Sequence, residues 1–265
     1  MITDVQNALN TILGNVACLK NAKGAGRIFE LFVMTGVAKA IKTGGYDVWL
    51  KRSDGSRIYP ANTLRDFIQR GGGPAGIPAM ASGASNASCI AFQKDGSKQV
   101  WEMWNGVQFE GRSKALHEFD VAVIPFETAE ALRNWEGGRP RGRPRIAIEC
   151  KDVATSGSID EIRTLVARLY DVTILDCHAW HLGLTQPSLV IYPGILGSWH
   201  YSSASFYEEN TRCCNVFARK TGFAKGAVAM TGYHLIRPYA FITSAGAQAA
   251  TLFTEVADWI NKKMI

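Results

Sequence analysis

The 265-residue sequence predicts an α/β fold with a central mixed sheet flanked by helices, preceded by N-terminal helices and followed by a C-terminal α/β extension. Helical and strand-like periodicities alternate along the chain, and Asp-Gly or Asn-Gly pairs follow several strand-like runs. Because 47% of the residues are hydrophobic, the chain can bury a substantial core. We therefore expect a single domain over 1–265, divided into N-terminal helices (1–43), a core (44–185) and the extension (186–265).

Two helices are predicted at the start of the chain. Thr3, followed three residues later by a glutamine, matches a capping box and predicts a helix over about residues 4–20. A second, largely apolar helix is predicted over about 25–42. It is closed by Gly44-Gly45, because glycine readily adopts the backbone conformation that ends a helix.

Four strands are predicted next from strand-like runs of apolar residues. They lie at about 46–51, 88–94, 99–104 and 115–124, with turns at Asp54-Gly55, Asp95-Gly96 and Asn105-Gly106. A short helix is expected near 62–70. The glycine-rich stretch at 71–76 lacks the Gly-Lys-Ser/Thr ending of a phosphate loop, so it is interpreted as a flexible insertion.

The second half of the chain continues the alternation. Arg145–Lys151 predicts another strand, and Ser158 with Glu161 marks the capped start of a helix. The buried stripe of that helix is predicted to contain Ile162, Leu165, Val166 and Leu169. Further strands are expected near 179–184 and 188–192, and a terminal helix over about 247–262. This succession of helix, antiparallel strands, helix and strand indicates a mixed sheet covered by helices.

Charge and cysteine content restrict the cellular setting. The net charge of +6 and pI near 9.0 suit a polyanionic partner such as nucleic acid, because a positive field attracts and retains it. The six cysteines show no CxxC spacing, which is typical of reduced thiols rather than of a disulfide framework. The sequence has no signal-peptide pattern and no apolar run of the roughly 20 residues that span a bilayer. We therefore expect a soluble cytoplasmic protein without membrane association.

Charged side chains accompany two of the predicted strands. Asp120 precedes the apolar run Val121–Ile124, and Glu149 and Lys151 share one face of the Arg145–Lys151 strand, about 7 Å apart, because alternate residues of a strand point the same way. Charged groups are costly in a central strand unless they are paired or used. If the two strands pair, their carboxylates form a site for a divalent cation with an ammonium group beside it.

These residues resemble the motif of the PD-(D/E)xK nuclease superfamily, in which an acidic residue on one strand precedes Glu-x-Lys on the next. The upstream helix of that superfamily, with the pattern Gly-x-x-aromatic-Glu, is similar to Gly26-Arg27-Ile28-Phe29-Glu30 in this chain. A Gly-aromatic pair, Gly45-Tyr46, then opens the first strand. The resemblance covers roughly residues 22–185, and Phe119 stands where the motif has proline.

The resemblance implies a restriction-endonuclease-like core and Mg²⁺-dependent hydrolysis of phosphodiester bonds in DNA, expected to be double-stranded. Asp120, Glu149 and the backbone carbonyl of Cys150 would hold one or two Mg²⁺ ions, with Mn²⁺ able to substitute. Lys151 would orient the attacking water, and Glu30 would bind the metal through water. A homodimer is compatible with this interpretation.

Glu30 stands in a helix that is apolar on nearly every side. A buried carboxylate requires a partner, because removing its charge from water costs several kcal/mol. Two partners remain open from the sequence: a cation such as Arg27 or a lysine elsewhere, or the hydrated metal.

A basic segment, Arg139–Arg145, lies between the two candidate strands. Its centre, Pro-Arg-Gly-Arg-Pro, resembles the core of an AT-hook, in which arginines enter a narrow minor groove. A loop that contacts only solvent or phosphate is the alternative. The residues expected to bind nucleic acid, here or on the following helix, are Arg139, Arg141, Arg143, Arg145, Arg163 and Arg168.

Other interpretations of the same residues remain. Cys177, His178 and His181 have no second Cys/His pair at matching spacing, so core or edge positions are favoured over a zinc site. A non-catalytic DNA-binding module of the same fold would keep the basic segment without turnover. An RNase is the third possibility, because nothing in the sequence selects or excludes a 2′-hydroxyl.

Overall fold

The computed structural model describes residues 1–71, 73–173 and 210–264. Its strands are β1 (Cys18–Lys20), β2 (Asp47–Lys51), β3 (Asp66–Ile68), β4 (Cys89–Gln93), β5 (Val100–Glu110), β6 (Leu116–Pro125), β7 (Ile146–Lys151), β8 (Cys214–Arg219) and β9 (Ile236–Tyr239). Its helices are α1 (Ile2–Leu13), α2 (Ala25–Thr43), α3 (Phe126–Trp135), α4 (Ile159–Val172), α5 (Lys225–Tyr233) and α6 (Ala247–Lys263), with a 3₁₀ turn at Met80–Ser82.

Seven strands form one mixed sheet in the order β2-β4-β5-β6-β7-β8-β9. Neighbours from β2 to β7 are antiparallel, whereas β7, β8 and β9 are parallel. Strands β1 and β3 form a separate two-stranded parallel sheet. The prediction of a central mixed sheet flanked by helices is confirmed, and strands of the predicted C-terminal extension belong to that sheet.

Two hydrophobic cores cover the two faces of the sheet. Val121 and Val123 of β6 pack in one core with residues of α1, α2 and α6. Ala122, which alternates with them, packs in the other core with residues of α3, α4 and α5. The strands between the helical layers are therefore buried on both faces, as their apolar sequences require. Within the described ranges, no helix has the length and apolarity needed to cross a membrane.

The N-terminal region differs from its prediction. Helix α1 starts at Ile2 without a side-chain cap and ends at Gly14, whose φ of 72° is readily adopted by glycine. Gln6 does not cap the helix, because its amide binds the carbonyl of Ala17 at 2.7 Å. The helices predicted beyond residue 13 and near 62–70 are wrong, since those segments contain β1 and β3, which satisfy each other's backbone groups by parallel pairing.

The turn predicted at Asn105-Gly106 is also wrong, because β5 continues through this pair to Glu110. Gly106 has a φ of 60°, and Trp104 and Val107 pack in the same core although they are three residues apart. The alternation of the strand therefore breaks at this pair. The sequence prediction missed α3, β8, α5 and β9, for which no pattern was identified.

Several other elements are confirmed. Helices α2 and α6 match their predicted ranges closely, and β4 and β5 are joined by the turn at Asp95-Gly96. Ser158 and Glu161 form both hydrogen bonds of a capping box at the start of α4. The strands expected near 179–184 and 188–192, together with Cys177, His178 and His181, lie outside the described residues.

A fully buried carboxylate, Glu102 of β5, ties three elements together. Its Oε1 lies 2.6 Å from Nζ of Lys51 in β2, and its Oε2 accepts hydrogen bonds from Arg133 of α3 and, at 2.9 Å, from the indole N–H of Trp104. Removing one partner from such a cluster leaves charge buried without compensation. The cluster therefore makes the joint between β2, β5 and α3 sensitive to a single change.

We expect Glu102→Gln to lower the free energy of unfolding by about 3–5 kcal/mol, because Lys51 and Arg133 would lose their buried counter-charge. The matched control is Glu130→Gln, whose side chain is 31% exposed and also pairs with Arg133. That change should cost at most about 1 kcal/mol. Urea unfolding of both variants tests this, and equal losses would contradict the central role of Glu102.

Candidate active site

The candidate site lies where β6 and β7 separate. Their pairing ends with Val121 opposite Ile148, so Asp120 and Glu149 come immediately beyond the last paired residues. Oδ2 of Asp120 accepts the backbone N–H of Cys150 at 2.7 Å. The Asp120 carboxylate thereby takes the place of a backbone carbonyl as the acceptor for this N–H, and it links β6 to β7 beyond their last paired residues. The structure brings Asp120 and Glu149 close to each other, as their sequence pattern predicts.

Two cations compensate Glu149, whose side chain is 3% exposed. Nζ of Lys151 lies 2.5 Å from Oε1, and Nη2 of Arg168 lies 2.8 Å from Oε2. The second contact is an ion pair without an aligned hydrogen bond. Arg168 also donates from Nη1 to the carbonyl of Glu118 at 2.8 Å. Arg168, predicted to clamp phosphate, thus holds Glu149 in this structure.

Lys151 remains a cation in this environment. Burial by itself lowers the pKa of its ammonium group, but Glu149 and Asp120 outweigh that effect, and the pKa is raised. The group is therefore protonated at neutral pH. It can donate hydrogen bonds and stabilise negative charge, whereas it cannot accept a proton.

The pKa of Asp120 is raised well above its usual range. Burial is the main cause, followed by repulsion from Glu149 and Glu30, and the Cys150 N–H and Lys151 only partly offset it. Glu149 and Glu30 are thus close enough to disfavour the ionisation of Asp120. A bound divalent cation would relieve this repulsion.

Asn105 connects Glu30 to the site. Its Nδ2 donates to Oε2 of Glu30 at 2.7 Å and to the carbonyl of Asp120 at 2.9 Å. Nη1 of Arg27 lies farther from Oε2 of Glu30, at 3.8 Å. Burial raises the pKa of Glu30, and the hydrogen bond from Asn105 and the charge of Arg27 oppose that shift. Glu30 therefore has both an ion pair with Arg27 and a position close to Asp120, and its contact with a hydrated metal stays a prediction.

Asn105 was not among the predicted site residues, because an Asn-Gly pair is typical of a turn. Asn105 is 4% exposed, and its Oδ1 is buried without a hydrogen-bond partner among the described residues. A polar residue immediately after the apolar strand segment that ends at Trp104 is the signal that could have identified it. A buried oxygen without a partner invites a ligand.

The donor atoms at the site suit Mg²⁺, which prefers oxygen ligands. Within the described residues, no group of three or more His, Cys, Asp or Glu side chains could enclose a metal ion. Mg²⁺ commonly keeps several waters and binds one or two carboxylates together with substrate phosphate, so such a cage is not required. Asp120 and Glu149 therefore fit this mode of binding. The buried thiol of Cys150 has a raised pKa and stays neutral, which leaves only its carbonyl as a candidate ligand.

The arginine-rich segment is largely engaged within the protein. Arg143 is fully buried and donates to Oδ1 of Asn215 at 3.0 Å, and Arg141 is paired with Glu110 at 2.6 Å. Both were predicted to bind nucleic acid, in an AT-hook-like segment or in a loop that contacts phosphate, but in this structure they contact partners within the protein. Their guanidinium groups instead satisfy buried polar partners, which stabilises the fold.

The other predicted arginines differ in their accessibility. Arg139 is exposed and donates to the side chain of Gln108 at 3.1 Å. Arg145 donates to the carbonyl of Lys263 at 3.2 Å. Arg163 is exposed on α4 and pairs with Asp160 at 2.8 Å. Arg139 and Arg163 are therefore the members of this set best placed to meet a polyanion.

Comparisons with protein-family models, with curated proteins and with solved structures yield no significant match. The resemblance noted in the sequence is therefore carried by the residues themselves. These are Asp120 on one strand, Glu149 and Lys151 on its neighbour, and Glu30 on the helix that packs against them.

We expect Asp120→Asn to stabilise the metal-free protein at pH 7. The pKa of Asp120 is raised in the folded state, so the folded protein holds this proton more tightly than the unfolded chain does. The resulting stabilisation is complete below the unfolded-state pKa of about 3.9 and is lost as pH rises through the folded-state pKa, because the ionised carboxylate is repelled. The advantage of the variant should therefore vanish in acid. Thermal melts from pH 4 to 8 test this, with Asp95→Asn in the exposed β4–β5 turn as control. A variant less stable than the native protein at pH 7 would refute the repulsion.

Proposed function

We propose that the protein is a Mg²⁺-dependent endonuclease with a restriction-endonuclease-like core that hydrolyses phosphodiester bonds in double-stranded DNA. One observation carries the proposal: Asp120, Glu149 and Lys151 meet where β6 and β7 separate, with Glu30 beside them. The net charge of +6 supports a polyanionic substrate.

The residues fit distinct roles in this reaction. Asp120, Glu149 and the carbonyl of Cys150 would hold Mg²⁺, or Mn²⁺ in its place, and Glu30 would contact the hydrated ion. When bound, the ion polarises the phosphodiester and lowers the pKa of a coordinated water. Lys151, kept protonated by Glu149, orients the attacking water and stabilises the charge that develops on the phosphate.

The pairing around Glu149 indicates how the site would open. Both oxygens of Glu149 have a cationic partner in the metal-free arrangement, so a metal ion must compete with one of them. The Lys151 side chain is 33% exposed and that of Arg168 is 18% exposed. Lys151 is therefore the partner that would release Glu149 and turn to the substrate, while Arg168 keeps the carboxylate in place.

The same pairing supports a second candidate function. A carboxylate already neutralised by Lys151 and Arg168 has less need of a metal ion, which fits a DNA-binding module that does not cleave. An RNase differs from both candidates in its substrate. Incubating the protein with plasmid DNA and with RNA, each with Mg²⁺ and with EDTA, distinguishes the three functions.

We expect cleavage of plasmid DNA only when a divalent cation is present. Asp120→Asn, Glu149→Gln and Lys151→Ala should each lower the cleavage rate by about 100-fold or more, because each removes a metal ligand or a group that stabilises the transition state. Asp152→Asn is the matched control, since Asp152 follows the same strand but pairs with Lys220 at 2.6 Å. Near-native cleavage by a double variant of Asp120 and Glu149 would refute the assignment, provided that circular dichroism shows folded protein.

We expect Glu30→Gln to weaken apparent Mg²⁺ affinity more than DNA binding. The ion pair with Arg27 is long and partly exposed, so its loss should cost no more than about 1 kcal/mol of stability. Mg²⁺ titrations of cleavage, read beside thermal melts and DNA binding in EDTA, test this. An unchanged Mg²⁺ midpoint together with a large loss of stability would show that Glu30 is purely structural.

A further inference from the structure

We propose that the first turn of α2, together with Arg27 and Arg70, binds an internal phosphodiester group of the nucleic-acid strand next to the carboxylate site. This phosphate subsite is separate from the residues assigned to the metal. The identity of its ligand as nucleic acid rests on the proposed function, whereas the preference for phosphate rests on the geometry described below.

Arg70 is the first observation. It is 5% exposed, and its Nε donates to the carbonyl of Asn105 at 3.1 Å. Its Nη2 is buried without a hydrogen-bond partner among the described residues. A buried guanidinium with an unused donor is costly, and an anion would satisfy it. Burial and the charge of Arg27 lower the pKa of Arg70 to about 10, so the group remains a cation at neutral pH.

Arg27 lies beside Arg70. A Cβ atom at Gly106 would be 3.0 Å from Nη1 of Arg27 and 3.5 Å from Cδ of Arg70, so both arginines border the same glycine. The carboxylates of Glu30 and Glu118 lie 3.8 and 3.9 Å from Nη1 of Arg27. The Arg27 side chain is 25% exposed and gives access from solvent. Two adjacent guanidinium groups beside a metal site suit a phosphate anion.

The N-terminus of α2 adds backbone donors. Gly24 occupies the N-cap without a side chain to cap the helix, and the first turn contains no acidic residue. A Cβ atom at Gly24 or Gly26 would meet no heavy atom within 4 Å, so the space in front of this turn is open. The first N–H groups of a helix lack partners within the helix and attract anions.

The loop that carries Arg70 is held against this turn. Nε2 of Gln69 donates to the carbonyl of Arg27 at 3.1 Å. Glu30 lies four residues beyond Gly26, about 6 Å along the helix axis, and reaches the carboxylate site through Asn105. A phosphate bound at the first turn of α2 would therefore be a close neighbour of the phosphodiester at the metal site.

Gly26→Asp tests the subsite, with Gly26→Ala as its matched control. Both changes add a Cβ atom in open space, and a carboxylate at a helix N-terminus favours the helix, so both variants should fold. Only aspartate would repel a phosphate. With a fluorescent duplex in EDTA and 100 mM salt, we expect Gly26→Ala to bind like the native protein. Gly26→Asp should weaken binding about tenfold, with a salt slope shallower by about 0.9 for one lost phosphate contact.

Arg70→Gln tests the same subsite through a different residue. It should weaken binding to a similar extent, and combining it with Gly26→Asp should add little, because both changes disrupt one subsite. Arg57→Gln, in an exposed ion pair with Asp47, is the control for loss of a positive charge. If Gly26→Asp binds as tightly as Gly26→Ala with the same salt slope, the subsite is refuted, whatever the stability of the Arg70 variant.

Two further measurements complete the test. Duplexes with and without 5′-phosphates should bind equally, and a Gly26→Asp effect confined to phosphorylated ends would overturn the assignment to an internal phosphodiester. Metal-dependent cleavage that requires Asp120, without any Gly26→Asp effect on binding, would refute the subsite alone. A Gly26→Asp effect on binding in a protein that never cleaves would refute the nuclease proposal and support the subsite.

Discussion

The hydrogen bond from the Cys150 amide to Asp120 holds together the two strands that carry the candidate site. Strand pairing ends just before this point, and a carboxylate takes the place of a backbone acceptor. Asp120 is thereby fixed close to Glu149, and the bound amide and Lys151 only partly offset the repulsion between the two carboxylates. The geometry of the site therefore depends on a structural bond made by a residue that is also proposed to bind metal.

Two buried charge clusters illustrate how structural and functional carboxylates differ in this protein. Glu102 is fully buried, and its partners Lys51 and Arg133 are almost completely buried as well. Glu149 is equally buried, but its partner Lys151 is one-third exposed and can exchange one contact for another. A buried carboxylate whose cationic partners are also buried stabilises the packing between secondary-structure elements. A buried carboxylate with a partly exposed cationic partner can instead exchange that partner for a ligand. This difference makes the cluster around Glu149, rather than the one around Glu102, the candidate for binding a ligand.

The Asn105-Gly106 pair of β5, where the alternation of the strand breaks, connects the candidate carboxylate site with the proposed phosphate subsite. The side chain of Asn105 binds Glu30 and the Asp120 carbonyl, while its own carbonyl accepts the Nε–H of Arg70. Gly106 permits the close approach of Arg70 and its neighbouring arginine because it has no side chain. Asn105 thus contacts the carboxylate of Glu30 through its side chain and the guanidinium of Arg70 through its backbone carbonyl.

The sequence by itself determined the mixed α/β class, the helices α2, α4 and α6, and the strands that carry Asp120, Glu149 and Lys151, because period and capping are local properties. Tertiary structure decided the rest. Parallel pairing made strands of segments predicted as helices, since their backbone partners lie about 50 residues away. Burial removed Arg143 from the surface, and the packing of β5 against α2 brought Asn105 to Glu30. Such contacts depend on residues far apart in the chain, so no local pattern could specify them.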